Sequence, residues 1–412
     1  MARILGTGIA TLDIINTVDG YPDEDSEVRA LAQAVRVGGN MANTLSVLAQ
    51  AGHECLLAAV LAGDMNGRRI ISELEARGVD LRHARRLEHG AAPTSYILLN
   101  RQNGSRSIVH YRDLPEFSLG DFMDIEQIET CDWLHFEARN CDELAVILAY
   151  ARSVVVDQPI SLEVEKERPG LEALWEYADI LIFSRAFARG RGFEQAENFL
   201  HEARRWAPHA LLVLPWGEQG AWALTRSGEL LHSPAFPPAA VVDTLAAGDT
   251  FNAGLIHAML GGRALADALG DACQLAGRKV GQSGLDGLLT PEHMQGEALC
   301  PLASLADPGS RGFEIRDGAG THSIFIVRQG SEVHAYRNDC PHLGVELNAL
   351  ADEFLDDERR HVRCALHGAL FDIASGLCVV GPCQGQSLER LDVRVERGLV
   401  LLAPPRTFNK RS

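Results

Sequence analysis

No run of apolar residues in this 412-residue sequence approaches the roughly 18 needed to cross a bilayer, so a membrane-spanning helix is not expected. Basic residues are scarce: 38 Lys and Arg stand against 56 Asp and Glu, a formal net charge of −18. The deficit is local. Residues 310–412 carry 13 basic and 14 acidic side chains, which leaves 25 and 42 for residues 1–309. So acidic a surface repels phosphate backbones and excludes nucleic acid as the main partner. A paired-cysteine framework is missing too. There are nine Cys, an odd number, and the opening MARILGTGIATLDII lacks the pattern of a secretion signal. A cytoplasmic location with reduced thiols is therefore expected. The composition, 46% hydrophobic and 23% charged, is that of a globular chain and excludes disorder as the main state.

What is present falls into two parts. Arg3–Ile9, Cys55–Leu61, Trp133–Glu137, Ile160–Val164, Ile180–Ser184 and Ala210–Pro215 read as buried strands. Helical spacing lies between several of them, as in Met41–Ala51 and Ile70–Arg77. Such alternation predicts an α/β domain on a mostly parallel sheet. Residues 11–35 read as half-exposed extended chain, a small flap. Asn103-Gly104 and Ser227-Gly228 mark hairpins. From Leu288 to Gly312 periodicity fades among Pro291, Pro301, Pro308 and Gly309, and residues 291–311 are read as a linker. Beyond it, Ser323–Arg328, Val333–Arg337, His361–Cys364, Leu391–Val395 and Val400–Leu402 predict a small all-β domain over 312–405.

In the first part, Val242-Asp-Thr-Leu-Ala-Ala-Gly-Asp249-Thr-Phe-Asn252 runs small residues into a helical pattern. A helix opening on small residues presents free N–H groups and a positive dipole end, which suits phosphate oxygens. A carboxylate at its edge, Asp249, can take a proton from a hydroxyl as phosphate is transferred to it. Alternatively, Asp249 only caps the helix. Gly38-Gly39-Asn40 with Asn43 places a glycine turn and two amides before a helix, and amides both donate to and accept from sugar hydroxyls. Asp13 is expected to end the first strand segment, where it can accept from hydroxyls.

These residues resemble the ribokinase-type (PfkB) carbohydrate kinases, and among them the ketohexokinases. The similarity runs through Leu12-Asp13, Tyr21–Glu27, Gly38–Asn43, Asn103–Arg106, Glu137-Ala-Arg139-Asn140 and Glu163-Val-Glu165-Lys166. It continues through Trp216–Gly220, His232–Pro238, Asp243–Asn252 and Cys273–Lys279. The resemblance implies an α/β/α sandwich with a small β lid over residues 1–290. It implies Asp249 as general base and Ala246, Ala247 and Gly248 as the anion hole. Asp13, Gly39, Asn40 and Asn43 would hold the ketose, with Glu137 and Arg139 beside it. Arg106 and Gly217, Glu218, Gln219 and Gly220 would contact ATP. Asp25 would reach a neighbouring subunit's site in a homodimer. Mg²⁺ would arrive with the nucleotide, held mostly by phosphates and water. The sequence departs from the family's pattern at Ala246, where Gly is usual, and at Ser184-Arg-Ala-Phe187, where many relatives place a metal-positioning Asn-x-x-Glu.

In the second part, Cys340-Pro-His342-Leu-Gly344 is matched by Cys364-Ala-Leu-His367-Gly368. One intervening residue is too few for an ordinary zinc ligand pair. Paired loops of this form suit a [2Fe–2S] cluster, two thiolates on one iron and two imidazoles on the other. Zinc, or an empty site, is the alternative. The stretch resembles the Rieske domain, with Phe371–Gly376 and Gly381-Pro382 as further matches. The resemblance implies Cys340 and Cys364 on the inner iron, and His342 and His367 on the outer one. Ala369 stands where a Ser commonly donates to the cluster, which predicts a potential in the low half of the Rieske range. Cys378 and Cys383 lie outside the ligand loops. His53, His83, His89, His110, His322, His334 and His361 show no partner spacing and are read as surface or core histidines. No 2-His-1-carboxylate pattern marks an oxygenase.

Together the two resemblances imply an ATP-dependent ketohexose kinase, in its most concrete form acting on D-fructose, with a cluster for electron transfer or redox regulation and a redox partner protein. Two alternatives stand: an electron-transfer protein whose first domain only binds sugar or nucleotide, or a kinase for another ketose, a sulfosugar or a nucleoside.

Overall fold

The computed structural model describes residues 2–289, 297–317, 320–330, 332–396 and 399–402. It divides into two units, Met1–Pro291 and Glu292–Ser412.

The first unit is built on nine strands in the order Leu230–Ser233, Ala221–Leu224, Leu211–Pro215, Ile180–Phe183, Ile160–Val164, Trp133–Glu137, Arg3–Thr7, Glu54–Ala58 and Val79–Asp80. Neighbours are parallel except at the first edge, where the two hairpin strands run antiparallel. Parallel strands covered on both faces must be apolar throughout. Leu134 and Phe136, Ile160, Leu162 and Val164, and Leu181 and Leu212 are accordingly buried. The chain order reverses at Arg3–Thr7, whose neighbours are Glu54–Ala58 on one side and Trp133–Glu137 on the other. In such sheets the carboxyl ends of the strands at this reversal bound the binding crevice.

A second sheet of four strands is the lid, in the order Ala32–Gly38, Thr11–Val18, Thr94–Asn100 and Arg106–Tyr111. The predicted flap is thus two strands of this sheet. Asp13 does not end the first strand segment. The chain breaks at Gly8–Ala10 and resumes as Thr11–Val18, so Asp13 is an interior residue of a lid strand, opposite Arg36. The Asn103-Gly104 and Ser227-Gly228 turns join their hairpins with both glycines at positive φ. His53, which shows no partner spacing in the sequence, meets His257 with ring nitrogens 2.7 Å apart.

The second unit is all β among its described residues. Gly309–Asp317, Gly320–Gln329, Glu332–Arg337 and Arg390–Leu391 form one antiparallel sheet. His361–Arg363, Leu370–Asp372 and Cys378–Val380 form another. The strand Gly320–Gln329 supplies two cores by alternation. Phe325 and Val327 join Tyr336, Phe354 and Phe371, whereas Ile324 and Ile326 join Ile315 and Val400.

Part of the stretch read as linker is strand. Glu297–Pro301 pairs with Leu399–Leu402, and Cys300 and Leu305 are buried. Prolines bracket these short apolar runs and hide their period. Residue 290 of the expected first domain, residues 291–296 of the expected linker and 403–405 of the expected second domain lie outside the described residues.

Candidate functional site

Asp249 sits in the first turn of the helix Ala247–Leu260, and Asn43 in the helix Asn40–Gln50. Packing of these helices brings the Asn43 Nδ2 to 2.7 Å from Asp249 Oδ2, and Thr44 Oγ1 donates to the Asp249 carbonyl at 3.3 Å. Asp249 is buried, and burial raises its carboxyl to about 7, against the Asn43 hydrogen bond and with help from the charges of Glu137, Glu165 and Asp13. A carboxyl in this range is suited to general base work near neutrality.

The helix that carries Asp249 has no side-chain cap, and its N-cap Ala246 is left-handed, with φ 61° and ψ 15°. The position is one that glycine adopts freely and alanine does not. Gly248 is exposed, and a Cβ built there meets nothing within 4 Å. The uncapped N–H groups therefore open onto free space, the condition for an anion cradle. Arg106, from the lid strand, donates to Thr244 Oγ1 at 3.0 Å and so stands at the edge of this loop.

Gly39 makes the sharp turn into the helix Asn40–Gln50 with φ 98°, and a Cβ there would lie 2.5 Å from the Ile9 carbonyl oxygen. The helix is capped from outside. Glu137 ends its strand, and its Oε1 accepts from Met41 N at 2.6 Å and from Ile9 N at 3.1 Å. Asn40 Nδ2 lies 3.2 Å from Glu163 Oε1 and 3.4 Å from Glu165 Oε2. Burial, with Asp249, Glu137 and Glu165 nearby, holds the Glu163 carboxyl well above the ordinary carboxylate range. Asp13 accepts from Thr11 Oγ1 at 2.9 Å, and burial raises its carboxyl despite that bond. Gly38 makes room for it, since a Cβ there would fall 2.1 Å from Asp13 Oδ2.

The remaining predicted residues lie further out. Arg139 pairs with Glu116 at 3.4 Å. Asp25 is exposed at φ 58°. Gly217–Gln219 is a short turn at the end of the strand Leu211–Pro215, and Glu218 accepts from Arg185 at 3.0 Å. No described contact joins Asp25 or this turn to Asp249. Two features go unassigned in the sequence reading. One is the pair of carboxylates behind Asn40, Glu163 and Glu165, which the sequence shows only as part of a matching stretch. The other is the ion cluster of Arg36, Asp243 and Lys279, in which both cations contact Asp243 Oδ2.

In the second unit the two ligand loops are near copies. Cys340 N donates to Val345 O and Gly344 N to Cys340 O, each at 2.8 Å. Cys364 N donates to Ala369 O and Gly368 N to Cys364 O, each at 2.9 Å. Gly344 and Gly368 close the loops at φ 65° and 67°. The thiols of Cys340 and Cys364 are buried, while His342 and His367 are exposed with ring centroids 4.9 Å apart. Among the described residues no group of three or more His, Cys, Asp or Glu side chains is already gathered around one ion position. Sulfur at depth and imidazole at the surface fits an inner and an outer iron. Gly381 packs on Ala369, and Cys378 and Cys383 share this core with their sulfurs 3.3 Å apart.

Comparison with known proteins finds a family for each of the two parts. Residues 1–291 match the model of the pfkB family carbohydrate kinases, and residues 300–396 that of the Rieske [2Fe-2S] domain. The chain is 38% identical to ketohexokinase of Mus musculus over 295 residues, 70% of this chain and 99% of that protein. It is 28% identical to ribokinase of Bacillus subtilis over 293 residues, 70% of this chain and 96% of that one. Among solved structures, ribokinase of Thermotoga maritima superposes with a TM-score of 0.59 at 18% identity, covering 70% of this chain and 96% of its own. Arabidopsis thaliana ribokinase, complexed with ribose and ATP, gives 0.58 at 20%, covering 69% and 94%. The kinase family implies ATP and Mg²⁺, and the Rieske domain a [2Fe–2S] cluster. No helix among the described residues is long and apolar enough to cross a membrane. The chain belongs to the pfkB family of carbohydrate kinases, phosphotransferases with a hydroxyl acceptor, and carries a Rieske domain after its kinase domain.

Proposed function

We propose that the chain transfers the γ-phosphoryl group of ATP to a ketohexose, most concretely D-fructose, giving fructose 1-phosphate and ADP. The observation that carries this reading is Asp249: a buried carboxyl poised near neutrality, held by Asn43, at the mouth of an uncapped helix. Asn43 engages one carboxylate oxygen, and the other is available to a sugar hydroxyl. Asp249 takes that proton as the sugar oxygen attacks phosphorus and the bond to ADP breaks. Asp13, Gly39, Asn40, Glu137 and Arg139 form the sugar side, and Arg106 and Gly217–Gly220 the nucleotide side. Ala246–Gly248 receive the phosphate. Mg²⁺, when bound with ATP, neutralises phosphate charge. The 38% identity to a ketohexokinase supports a ketose acceptor.

Phosphoryl transfer has no redox step, so the cluster serves a different role. Cys340 and Cys364 would hold its inner iron and His342 and His367 its outer iron. Exposed Leu343 and Leu366 flank the imidazoles, where a redox partner would meet them. We place the protein in the cytoplasm as a homodimer joined through the lid, with Asp25 reaching the partner's site. ADP release with D-fructose, by anaerobically purified full-length protein, tests the kinase reading. Asp249→Asn should lower turnover by about 10²–10⁴-fold while leaving the visible spectrum of the cluster unchanged. Equal turnover by the variant would overturn the assignment of the base.

A further inference from the structure

Residues paired across a sheet point to the same face, so register alone decides which side chains meet. Arg36, Asp13, Ser95 and His110 are successive partners across the four strands of the lid and form one polar row. Arg106 shares the strand of His110 at an even spacing, hence the same face. From that face Arg106 reaches Thr244 and Arg36 reaches Asp243, both in the anion loop. His110 therefore faces the crevice, although its spacing in the sequence assigns it to surface or core. The groups whose charges act on its ring agree. They are Arg139 and Lys166 from the ends of the sheet strands opposite, Arg112 beside it and Asp13 along the row. The next partners on this face, Ile15, Ile97 and Ile108, are apolar, so the polar contacts of these three strands are gathered in the one row.

The row also fixes which proton His110 carries. Ser95 is buried, hydrogen-bonds the Asp13 carboxyl, and has its Oγ 3.2 Å from His110 Nδ1. A serine hydroxyl has one hydrogen, and a carboxylate only accepts, so Ser95 spends that hydrogen on Asp13. Ser95 Oγ then accepts from His110. This places the ring proton on Nδ1 and leaves a lone pair on Nε2. Burial and the cations Arg139, Arg112 and Lys166 hold the ring below the ordinary histidine range, against the pull of Asp13. Near neutral pH it is therefore an uncharged acceptor. The His110 side chain is exposed on this open face, and among the described residues no hydrogen bond engages Nε2.

We propose that His110 is a further specificity residue of the sugar site, whose Nε2 accepts a hydrogen bond from a hydroxyl of the bound polyol. The proposal deepens the kinase reading and rests on it for the class of ligand. Asp13 meets the ligand from the middle of the row and His110 from its end, so the lid offers two acceptors to one molecule. The chemistry they select is a neutral polyol with hydroxyls free to donate. An ether, a fluorine or a missing hydroxyl at the position facing His110 leaves the imidazole lone pair without a partner.

The test uses full-length cluster-loaded protein: wild type, His110→Phe and His110→Gln. D-fructose binding is measured by calorimetry and ADP release by a coupled assay. Phenylalanine keeps a ring and removes both nitrogens, whereas glutamine can put an amide oxygen where Nε2 stands. His110→Phe should weaken D-fructose binding about three- to tenfold, raise KM in step and change kcat less. His110→Gln should recover most of that loss. The monodeoxy forms of D-fructose are then titrated in turn against wild type and His110→Phe. One of them should cost wild type as much as the phenylalanine does and cost the variant nothing further. Deletions that all add in full in the variant would show that His110 touches no hydroxyl and would overturn the proposal. Unchanged binding by His110→Phe, or a glutamine variant no better than phenylalanine, would do the same. Should wild type bind D-fructose yet release no ADP, the kinase reading fails, and the binding cycle alone decides the role of His110. Wild type that binds no D-fructose, with or without ADP present, would overturn the proposal as well.

Discussion

The Asn43 amide donates to the Asp249 carboxylate at 2.7 Å, across two helices whose residues are 206 apart in the chain. This bond favours the charged form, whereas burial favours the neutral one, and the balance lies near 7.

The base must be ionised to accept a proton, so kcat/KM should fall as pH drops through about 7. Asn43→Leu removes a donor that stabilises the carboxylate, and the acid limb should move to higher pH. A limb that stays in place would show that another group sets it. The same shift affects stability. An unfolded Asp ionises near its ordinary value of 3.8, whereas the folded one keeps its proton to about 7. Between these values the folded state binds more protons, so this group makes the protein less stable as pH rises from about 4 to 7. Asp249→Asn should therefore be more stable than wild type at pH 8, by a margin that shrinks towards pH 4. Denaturant unfolding at the two pH values checks the sign.

Ala246 holds a left-handed backbone at the head of the catalytic helix. Ala246→Gly should relieve on the order of 1–2 kcal/mol of steric strain, offset by roughly 0.5–1 kcal/mol of unfolded-state entropy. A net gain of up to about 1.5 kcal/mol is expected from denaturant unfolding. A loss of stability would mean that the alanine methyl makes a contact worth more than the strain.

Ala369 is fully buried beside Cys364, in the loop on which Gly381 packs, and offers no hydroxyl to the cluster. The midpoint potential should lie in the lower half of the range of about −150 to +300 mV. Ala369→Ser should raise it by a few tens of mV, the equivalent of one ordinary hydrogen bond for a one-electron couple. Potentiometric titration of both proteins decides, and a wild-type value in the upper half would count against the argument from missing donors.

On the lid, Tyr96 pairs directly with Val109 and shares a sheet face with Tyr111. They are 49%, 69% and 53% exposed, an apolar face of the kind that second copies cover. Val109→Glu should convert a dimer to monomers in sedimentation analysis. Wild-type protein that already sediments as a monomer would refute the lid-mediated dimer.

The sheet strands were legible because parallel strands are apolar on both faces. The two metal-ligand loops were legible because their spacing is local. The lid was harder to read. Its strands present one face to solvent, so Ala32–Gly38 carries three exposed residues in a row and no clean alternation. The strand Glu297–Pro301 was hidden by the prolines around it. Asp249, Asn40 and Asn43 announced themselves through glycine turns. Lys279 did not, since the sequence shows only the pair Arg278-Lys279 near a helix end, and its oxygen partners Asp243 and Gln282 reach it only through the fold. His53 and His257 illustrate the same limit, with 204 residues between them.

The division into two units has a thermodynamic consequence. All five tryptophans, at positions 133, 175, 206, 216 and 222, belong to the kinase unit, whereas the cluster ligands belong to the other. Each unit therefore carries its own native optical reporter: indole fluorescence for one, the iron–sulfur absorption band for the other. Because each has its own core, melting need not be a two-state event for the chain. Colour loss and fluorescence change are then separate order parameters, and a melting temperature for this protein has meaning only when the reporter is named.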